Sequence, residues 1–131
     1  MRFYVYLGVT GDERTIASLH SELHLQDSET RALKHLRHNG DTQWIWRTRY
    51  IPVTSIFPED ALRDLLVTHK HLLPLIDRYR SQLEGTSAFI IAQCDEGDQP
   101  RGYSFSEDTV RLLAEFGASL EIDTVMLMEP T

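Results

Sequence analysis

The sequence contains a single cysteine, Cys94, among its 131 residues. A disulfide within the chain is therefore impossible, and a zinc site built from several thiolates is excluded. No apolar run approaches the ~20 residues that a membrane-spanning helix needs. The start, MRFYVYLGVT, is typical of a strand and lacks the regions of a signal peptide. We therefore expect a cytoplasmic protein with no membrane partner, folded as one domain over residues 1–131.

Basic residues are fewer than acidic ones: the chain has 13 Lys and Arg and 20 Asp and Glu, which gives a net charge of −7. Only the stretch from Arg31 to Tyr50 is basic, and its aromatic residues and arginines alternate. Alternation along a strand sends the two kinds of side chain to opposite sides, which weakens a base-stacking interpretation. We expect a solvated face first, a small anionic ligand or an acidic protein partner next, and nucleic acid last.

The sequence lacks the motifs that mark common nucleotide and catalytic sites, namely a Walker loop, Gly-x-Gly-x-x-Gly and Gly-x-Ser-x-Gly. Six histidines are present. His20 and His24 could share one helical face, as could His35 and His38, but neither pair has an obvious third ligand. We therefore expect no metal and no cofactor, and whether the protein is an enzyme stays uncertain, with the balance against it.

The longest regular pattern is an amphipathic segment from Phe57 to Gly85, which predicts one long helix. Pro58 suits the first turn of that helix. Pro74 lacks the N–H that would bond to the carbonyl of Lys70, which predicts a bend there. His69 lies on the apolar stripe among leucines. It is either a core histidine held by one hydrogen bond or a residue that faces a ligand.

Strand and helix patterns alternate along the rest of the chain. Strands are predicted at YVYLGV, QWIWRTRYI, SAFIIAQC, GYSF and LEIDTVMLM, with two shorter helices between them. Asp12 or Thr10 could cap the first of these helices, and Ser106 is a good N-cap for the second, which Gly117 ends. Residues from His24 to Thr42 are predicted as a surface excursion with a turn of helix around Thr30 to Arg37. The sequence thus predicts an α+β fold, a two-layer sandwich with a mixed or antiparallel sheet of four to five strands and a long central helix. The last six elements follow the ferredoxin-like order.

Two strands, YVYLGV and SAFIIAQC, are apolar on both faces, which predicts cover for the second face of the sheet. The first helix, the segment from His24 to Thr42 or a second subunit could supply it. In the tryptophan strand, Trp46 is expected to face the interior and Arg47 and Arg49 the solvent. Together with His69, these three residues form our candidate ligand-binding set; no catalytic residue is identified.

The C-terminal third resembles a bacterial domain-of-unknown-function family, numbered 4279. The resemblance rests on an apolar strand, a glycine-containing turn, a Ser-led helix that ends in leu-ala-x-leu-gly, and a leu-x-ile-asp strand. Here these are Phe89–Ala92, Gly97–Gly102, Ser106, Leu113–Gly117 and Leu120–Asp123. The start of the chain and the strand of Trp46 also fit. This chain departs from the family in having no proline before Pro52, and in having Val125 where an aromatic residue is common.

The resemblance implies a small bacterial cytoplasmic protein, an interaction or immunity-type module. Together with the missing catalytic motifs, it leads us to expect a non-enzymatic module that binds another protein or itself as a homodimer. The alternative is a small-ligand-binding or enzymatic domain, with its pocket near the long helix and the tryptophan strand.

Overall fold

The computed structural model describes residues 2–36, 42–98 and 102–126, and a six-stranded mixed sheet lies at its centre. The strands are β1 (Arg2–Gly11), β2 (Glu29–Leu36), β3 (Thr42–Arg47), β4 (Ile51–Val53), β5 (Gly85–Cys94) and β6 (Ala118–Met126). The helices are α1 (Glu13–Leu23), α2 (Pro58–Thr68), α3 (Leu73–Tyr79) and α4 (Glu107–Phe116), with a 3-10 turn at Lys70–Leu72. The predicted α+β class is confirmed, and the sheet has more strands than the four to five expected.

The strands lie in the order β2-β3-β1-β5-β6, and β4 continues beside β1 where β3 ends. All neighbours are antiparallel except β5 and β6, which are parallel. The central place of β1 follows from its sequence, because its side chains are buried on both faces. Val5 and Leu7 point to one side and Tyr6 to the other, as the period of two requires.

The helices of the described residues all pack on one side of the sheet, which we call the helix face. Their apolar side chains form two clusters with the sheet, one around Leu66 and Phe116 and one around Ile16 and Trp46. The opposite side, the open face, carries Tyr6, Ile45 and Phe89 as a separate small cluster. No helix of the described residues covers the open face, so neither α1 nor the segment after it supplies the cover that the sequence predicted.

The single long helix predicted over Phe57–Gly85 is wrong. The helix ends at Thr68, a 3-10 turn follows, and α3 begins at Leu73. Pro74 therefore lies in the first turn of α3, where its missing N–H leaves no carbonyl without a partner. The helix is interrupted just before the proline, between His69 and Leu72. The reason is that the first turn of a new helix accommodates Pro74 more easily than the interior of a kinked helix does.

Two other predictions of local structure are wrong. The turn of helix expected around Thr30 to Arg37 is replaced by β2, an edge strand that pairs with β3. The return strand expected at GYSF is absent, since residues 102–105 have no regular structure. Without that strand, and with β1 in the centre of the sheet, the ferredoxin-like order is not confirmed.

Local signals at the ends of helices are confirmed. The carboxylate of Asp12 accepts a hydrogen bond from the Thr15 N–H at 2.7 Å, which caps α1. Ser106 caps α4 in the same way, through the Thr109 N–H. Gly117 ends α4 in the left-handed conformation, with φ 59°, which glycine adopts without strain.

The tryptophan strand is interrupted where the sequence predicted continuous alternation. Between β3 and β4, the Thr48 N–H donates to the Leu7 carbonyl at 2.9 Å, and the Leu7 N–H donates to Thr48 Oγ1 at 3.0 Å. The Thr48 hydroxyl thus takes the place of a backbone carbonyl in the ladder. This break sends Tyr50 to the open face, whereas continuous alternation would place it on the same side as Trp46.

Candidate functional site

The four predicted ligand-binding residues are divided among three environments. Trp46 is fully buried on the helix face, and its indole Nε1 has no hydrogen-bond partner among the described residues. Arg47 lies on the open face, and His69 and Arg49 line a cavity at the side of the molecule. The predicted set is therefore not one site. The structure brings together His69 and Arg49 and separates both of them from Arg47.

The centre of the open face is an aromatic ladder of Phe89, Tyr6 and Tyr50. The rings of Tyr6 and Phe89 stack with centroids 4.4 Å apart, and Tyr50 meets Tyr6 edge-on at 4.9 Å. The guanidinium of Arg47 covers the Tyr50 ring at 3.8 Å from its centroid. This is a cation–π arrangement in which the positive charge faces the electron-rich side of the ring. The ladder gives the open face an apolar, rigid centre.

Arg47 is held in place by its neighbours in the sheet. Its guanidinium contacts the Glu29 carboxylate at 2.5 Å and donates to the Thr48 carbonyl at 2.9 Å. The pair with Glu29 is possible because β2 and β3 place these two residues directly opposite each other. Since only 11% of the Arg47 side chain is exposed, the charge acts as part of the surface of the ladder and not as a free cation.

Two charged edges flank this centre. Arg31 stands on β2, and Glu121 and Asp123 stand on β6, at the other side of the sheet. A groove of about 330 Å³ lies between them, with Tyr6 and Phe89 among its lining residues. The sheet order puts four strand spacings between the two edges, which is about 19 Å. Among the described residues, the β6 edge of the face is therefore anionic, and the β2 edge carries Arg31 beside the pair of Glu29 and Arg47.

The pKa of the Tyr6 hydroxyl reports this environment. Burial, with Tyr50 and Asp123 acting in the same direction, raises this pKa to about 12, and Arg31 and Arg47 act in the opposite direction. Tyr6 is therefore a neutral phenol at any physiological pH. The two edges of the groove both act on this one hydroxyl, although they come from opposite sides of the sheet.

The second site is a cavity of about 310 Å³ beside the break between β3 and β4. It is lined by His69, Arg49, Thr48 and Asp27, together with Leu25, Gln26, Ile51 and Thr68. The His69 Nδ1 donates to the Leu65 carbonyl at 2.8 Å. This bond fixes the tautomer and leaves the Nε2 lone pair as the acceptor of the ring.

Burial lowers the pKa of His69 below its ordinary value of 6.5, and the bond to Leu65 only partly opposes this effect. As the pH falls, His69 is therefore protonated at a higher pH in the unfolded chain than in the folded chain. The free energy of unfolding therefore has its full contribution from neutral His69 above about pH 6.5, and it decreases as the pH falls below that value. We expect His69→Asn, which keeps a donor for Leu65 but does not titrate, to flatten this decrease between about pH 7 and pH 5.

The measurement is urea unfolding over that pH range. His24→Asn is the matched control, because His24 is exposed and has a positive φ of 48° that asparagine tolerates. If the control changed the pH dependence as much as His69→Asn, the acid sensitivity would not come from the buried ring.

A third cavity, of about 310 Å³, lies beside the start of α2 and is lined by Phe3, Phe57 and Tyr103 among others. One carboxylate in its lining, that of Glu59, already accepts bonds from the Ser106 N–H and, at 3.0 Å, from the Thr109 hydroxyl. These bonds hold the start of α4 against α2. Glu59 thus has a structural role.

Metal and membrane features are also absent from the described part of the chain. Among residues 2–36, 42–98 and 102–126, no three His, Cys, Asp or Glu side chains converge as a metal ion would require. The His35 side chain and His38 lie outside the described residues. Of the helices in these ranges, none has the length and apolar character for crossing a bilayer.

Taken together, the fold is an α+β sandwich with helices on one face of a mixed sheet and an aromatic, charge-flanked surface on the other. The pattern that defines the family Domain of unknown function (DUF4279) matches residues 1–127. The chain belongs to this family, as the sequence resemblance indicated. Comparison with curated proteins finds no significant match, and comparison with solved structures finds none either.

Proposed function

We propose that this protein is a non-enzymatic module that binds another protein through the open face of its sheet. The observation that carries the proposal is the location of the described helices on one face only. Sheets of this kind bury one face on their helices and can leave the other to solvent, where alternation normally makes it polar. Here that second face has Tyr6, Ile45 and Phe89 at its centre.

The composition of the open face suits a protein partner. Tyr and Arg are the residue types enriched in the cores of protein interfaces, and the ladder contains Tyr6, Tyr50 and Arg47. The charged edges are polar and exposed, like the rim of such an interface. A small molecule usually sits in a concave pocket, whereas the two charged edges of this face stand ~19 Å apart. The dimensions therefore favour a macromolecular partner.

Bacterial origin and residence in the cytoplasm are part of this proposal, and an immunity-type role would be one form of it. In that form the partner on the open face is a toxin. The proposal needs no cofactor and no metal, and the acidic net charge of −7 makes nucleic acid the least suitable partner.

Photo-crosslinking from single positions tests where partners bind. A photoreactive amino acid at Ser119, which points from β6 to the open face, is expected to yield adducts in native cells. The same amino acid at Asp64, exposed on α2 on the other side of the molecule, is the control and is expected to yield few. Adducts from Asp64 alone would place the binding surface on the helix side and contradict the proposal.

A second candidate function is the binding of a small anionic ligand in the cavity of His69 and Arg49. The observation in its favour is that an exposed arginine and a buried histidine acceptor line one cavity. A ligand-dependent rise in melting temperature that Arg49→Gln abolishes, together with no crosslinking from Ser119, would favour this function over protein binding.

A further inference from the structure

Three charged residues of the open face have no ion-pair partner among the described residues. Arg31, Glu121 and Asp123 are exposed, and none of the three forms an ion pair with another described residue. Most other arginines of the described chain do have a carboxylate partner, for example Arg47 with Glu29 and Arg78 with Glu22. Among residues 2–36, 42–98 and 102–126, the open face thus presents an unpaired arginine on its β2 edge and two unpaired carboxylates on its β6 edge.

These charges lie at opposite corners of the face, as the register of the strands shows. Arg31 is level with Ile45 and, through it, with Thr10 at the end of β1. Asp123 is level with Ile91 and, through it, with Tyr4 near the start of β1. The middle strand, β1, lies between the two corners. The surface is therefore complementary in charge to a copy of itself.

We propose that a second copy of this chain docks on the open face, related to the first by a two-fold axis that lies between the two faces above β1. This inference rests on the proposed function, because it identifies the partner of the same surface. An axis oblique to β1 brings the Arg31 corner of each copy over the Asp123 edge of the other. The contact forms twice, as two-fold symmetry requires. The strands of the two sheets then cross at a large angle, as in orthogonal sheet packings.

The charges also select this axis against the other diagonal. An axis along the line from Arg31 to Asp123 would place each corner over the same corner of the second copy. Arginine would then face arginine, and carboxylates would face carboxylates, which is strongly unfavourable across an interface. Only one of the two diagonal arrangements pairs opposite charges.

The size of the face is sufficient for such a dimer. Five adjacent strands of six to ten residues, about 20–33 Å long, give a flat area of roughly 700 Å². A stable interface covers about 800 Å² of accessible surface per partner, and side chains make the accessible area larger than the flat one. Tyr50 and Val125, 38% and 43% exposed, supply apolar area that docking would bury.

Charge reversal and complementation, measured by sedimentation velocity over a concentration series, test this inference. We expect the purified chain to sediment with the mass of two chains. Arg31→Glu should weaken association at least about tenfold, and Glu121→Lys with Asp123→Lys should do the same, because each creates two like-charge contacts. An equal mixture of the two variants should restore the dimer, since both contacts in the mixed pair join opposite charges.

Matched controls on the helix side separate this effect from a change of net charge. Arg14→Glu, and Asp64→Lys together with Asp108→Lys, alter exposed residues of α1, α2 and α4 by the same charge steps and should leave the dimer unchanged. Far-UV circular dichroism of each variant checks that the fold is retained. Because the reversed residues are all exposed, the mixture experiment does not depend on any core residue.

Two results would overturn the inference: a monomer at all concentrations up to about 1 mM, or reversed variants that remain monomeric when mixed. A monomer whose Ser119 probe still crosslinks a different protein in cells would overturn the dimer and leave the proposed function standing. A monomer with no adduct from Ser119 would overturn both.

Discussion

Trp46→Ala is expected to lower the free energy of unfolding by about 3–5 kcal/mol, the usual cost of removing a large aromatic side chain from a packed core. Trp46 is fully buried and joins the sheet to α1 and α3 through the cluster that includes Ile16 and Ile76. The neighbouring helices cannot collapse into the space of an indole, so a cavity should remain. Urea unfolding followed by circular dichroism measures the loss without relying on tryptophan fluorescence.

Two further variants make this prediction specific. Trp46→Phe should cost much less, because it keeps most of the packing and removes an indole N–H that has no partner among the described residues. Trp44→Ala is the matched control, since Trp44 is only partly buried at the edge of the same cluster. Equal losses for Trp44→Ala and Trp46→Ala would contradict the placement of Trp46 in the core.

Thr48→Val is expected to cost about 1–3 kcal/mol, although valine has nearly the same shape as threonine. The Thr48 hydroxyl accepts the Leu7 N–H at 3.0 Å in a buried position. Valine would leave that N–H in the centre of the sheet without an acceptor. The measurement is the midpoint and slope of urea unfolding, compared with the unchanged chain.

Thr48→Ser keeps the hydroxyl and is expected to retain most of the stability. The comparison matters for function because the break at Thr48 directs Tyr50 to the open face and Arg49 to the cavity of His69. If Thr48→Val were as stable as the unchanged chain, the hydroxyl would not hold the break, and the position of both candidate sites would need another explanation.

Features that depend on a few neighbouring residues could be predicted from the sequence. The caps at Asp12 and Ser106 and the stop at Gly117 were correct because capping needs only a side chain and the next helical turn. The two-sided burial of β1 was also correct, because a strand that is apolar on both faces has to lie inside a sheet.

Features that depend on distant partners could not be predicted in the same way. The segment of β2 has residues that also suit a helix, and its pairing with β3 decides the outcome. The amphipathic pattern around His69 continues across the break, so periodicity alone could not reveal that α2 ends at Thr68. Pro74 was the residue that indicated an interruption of the helix, but a new helix starts there and the predicted bend is absent.

The candidate site was predicted in part. Alternation placed Trp46 and Arg47 on opposite faces of their strand, as the structure has them. The pairing of Arg49 with His69 in one cavity depends on the break at Thr48, which no local pattern showed. The aromatic ladder was missed, because Phe89, Tyr6 and Tyr50 come from three separate segments. The two-sided apolar character of β1 and β5 was the one signal of it.

The open face of the sheet, whose apolar centre is packed against the side chains of Arg47 and Tyr50, is where we propose that this protein binds its partner. Crosslinking in cells from Ser119, on the open face, compared with crosslinking from Asp64, on the helix side, is the most direct test of this proposal. We expect adducts to form from Ser119 in clear excess over those from Asp64. Equal yields from the two positions, or adducts from Asp64 only, would contradict it.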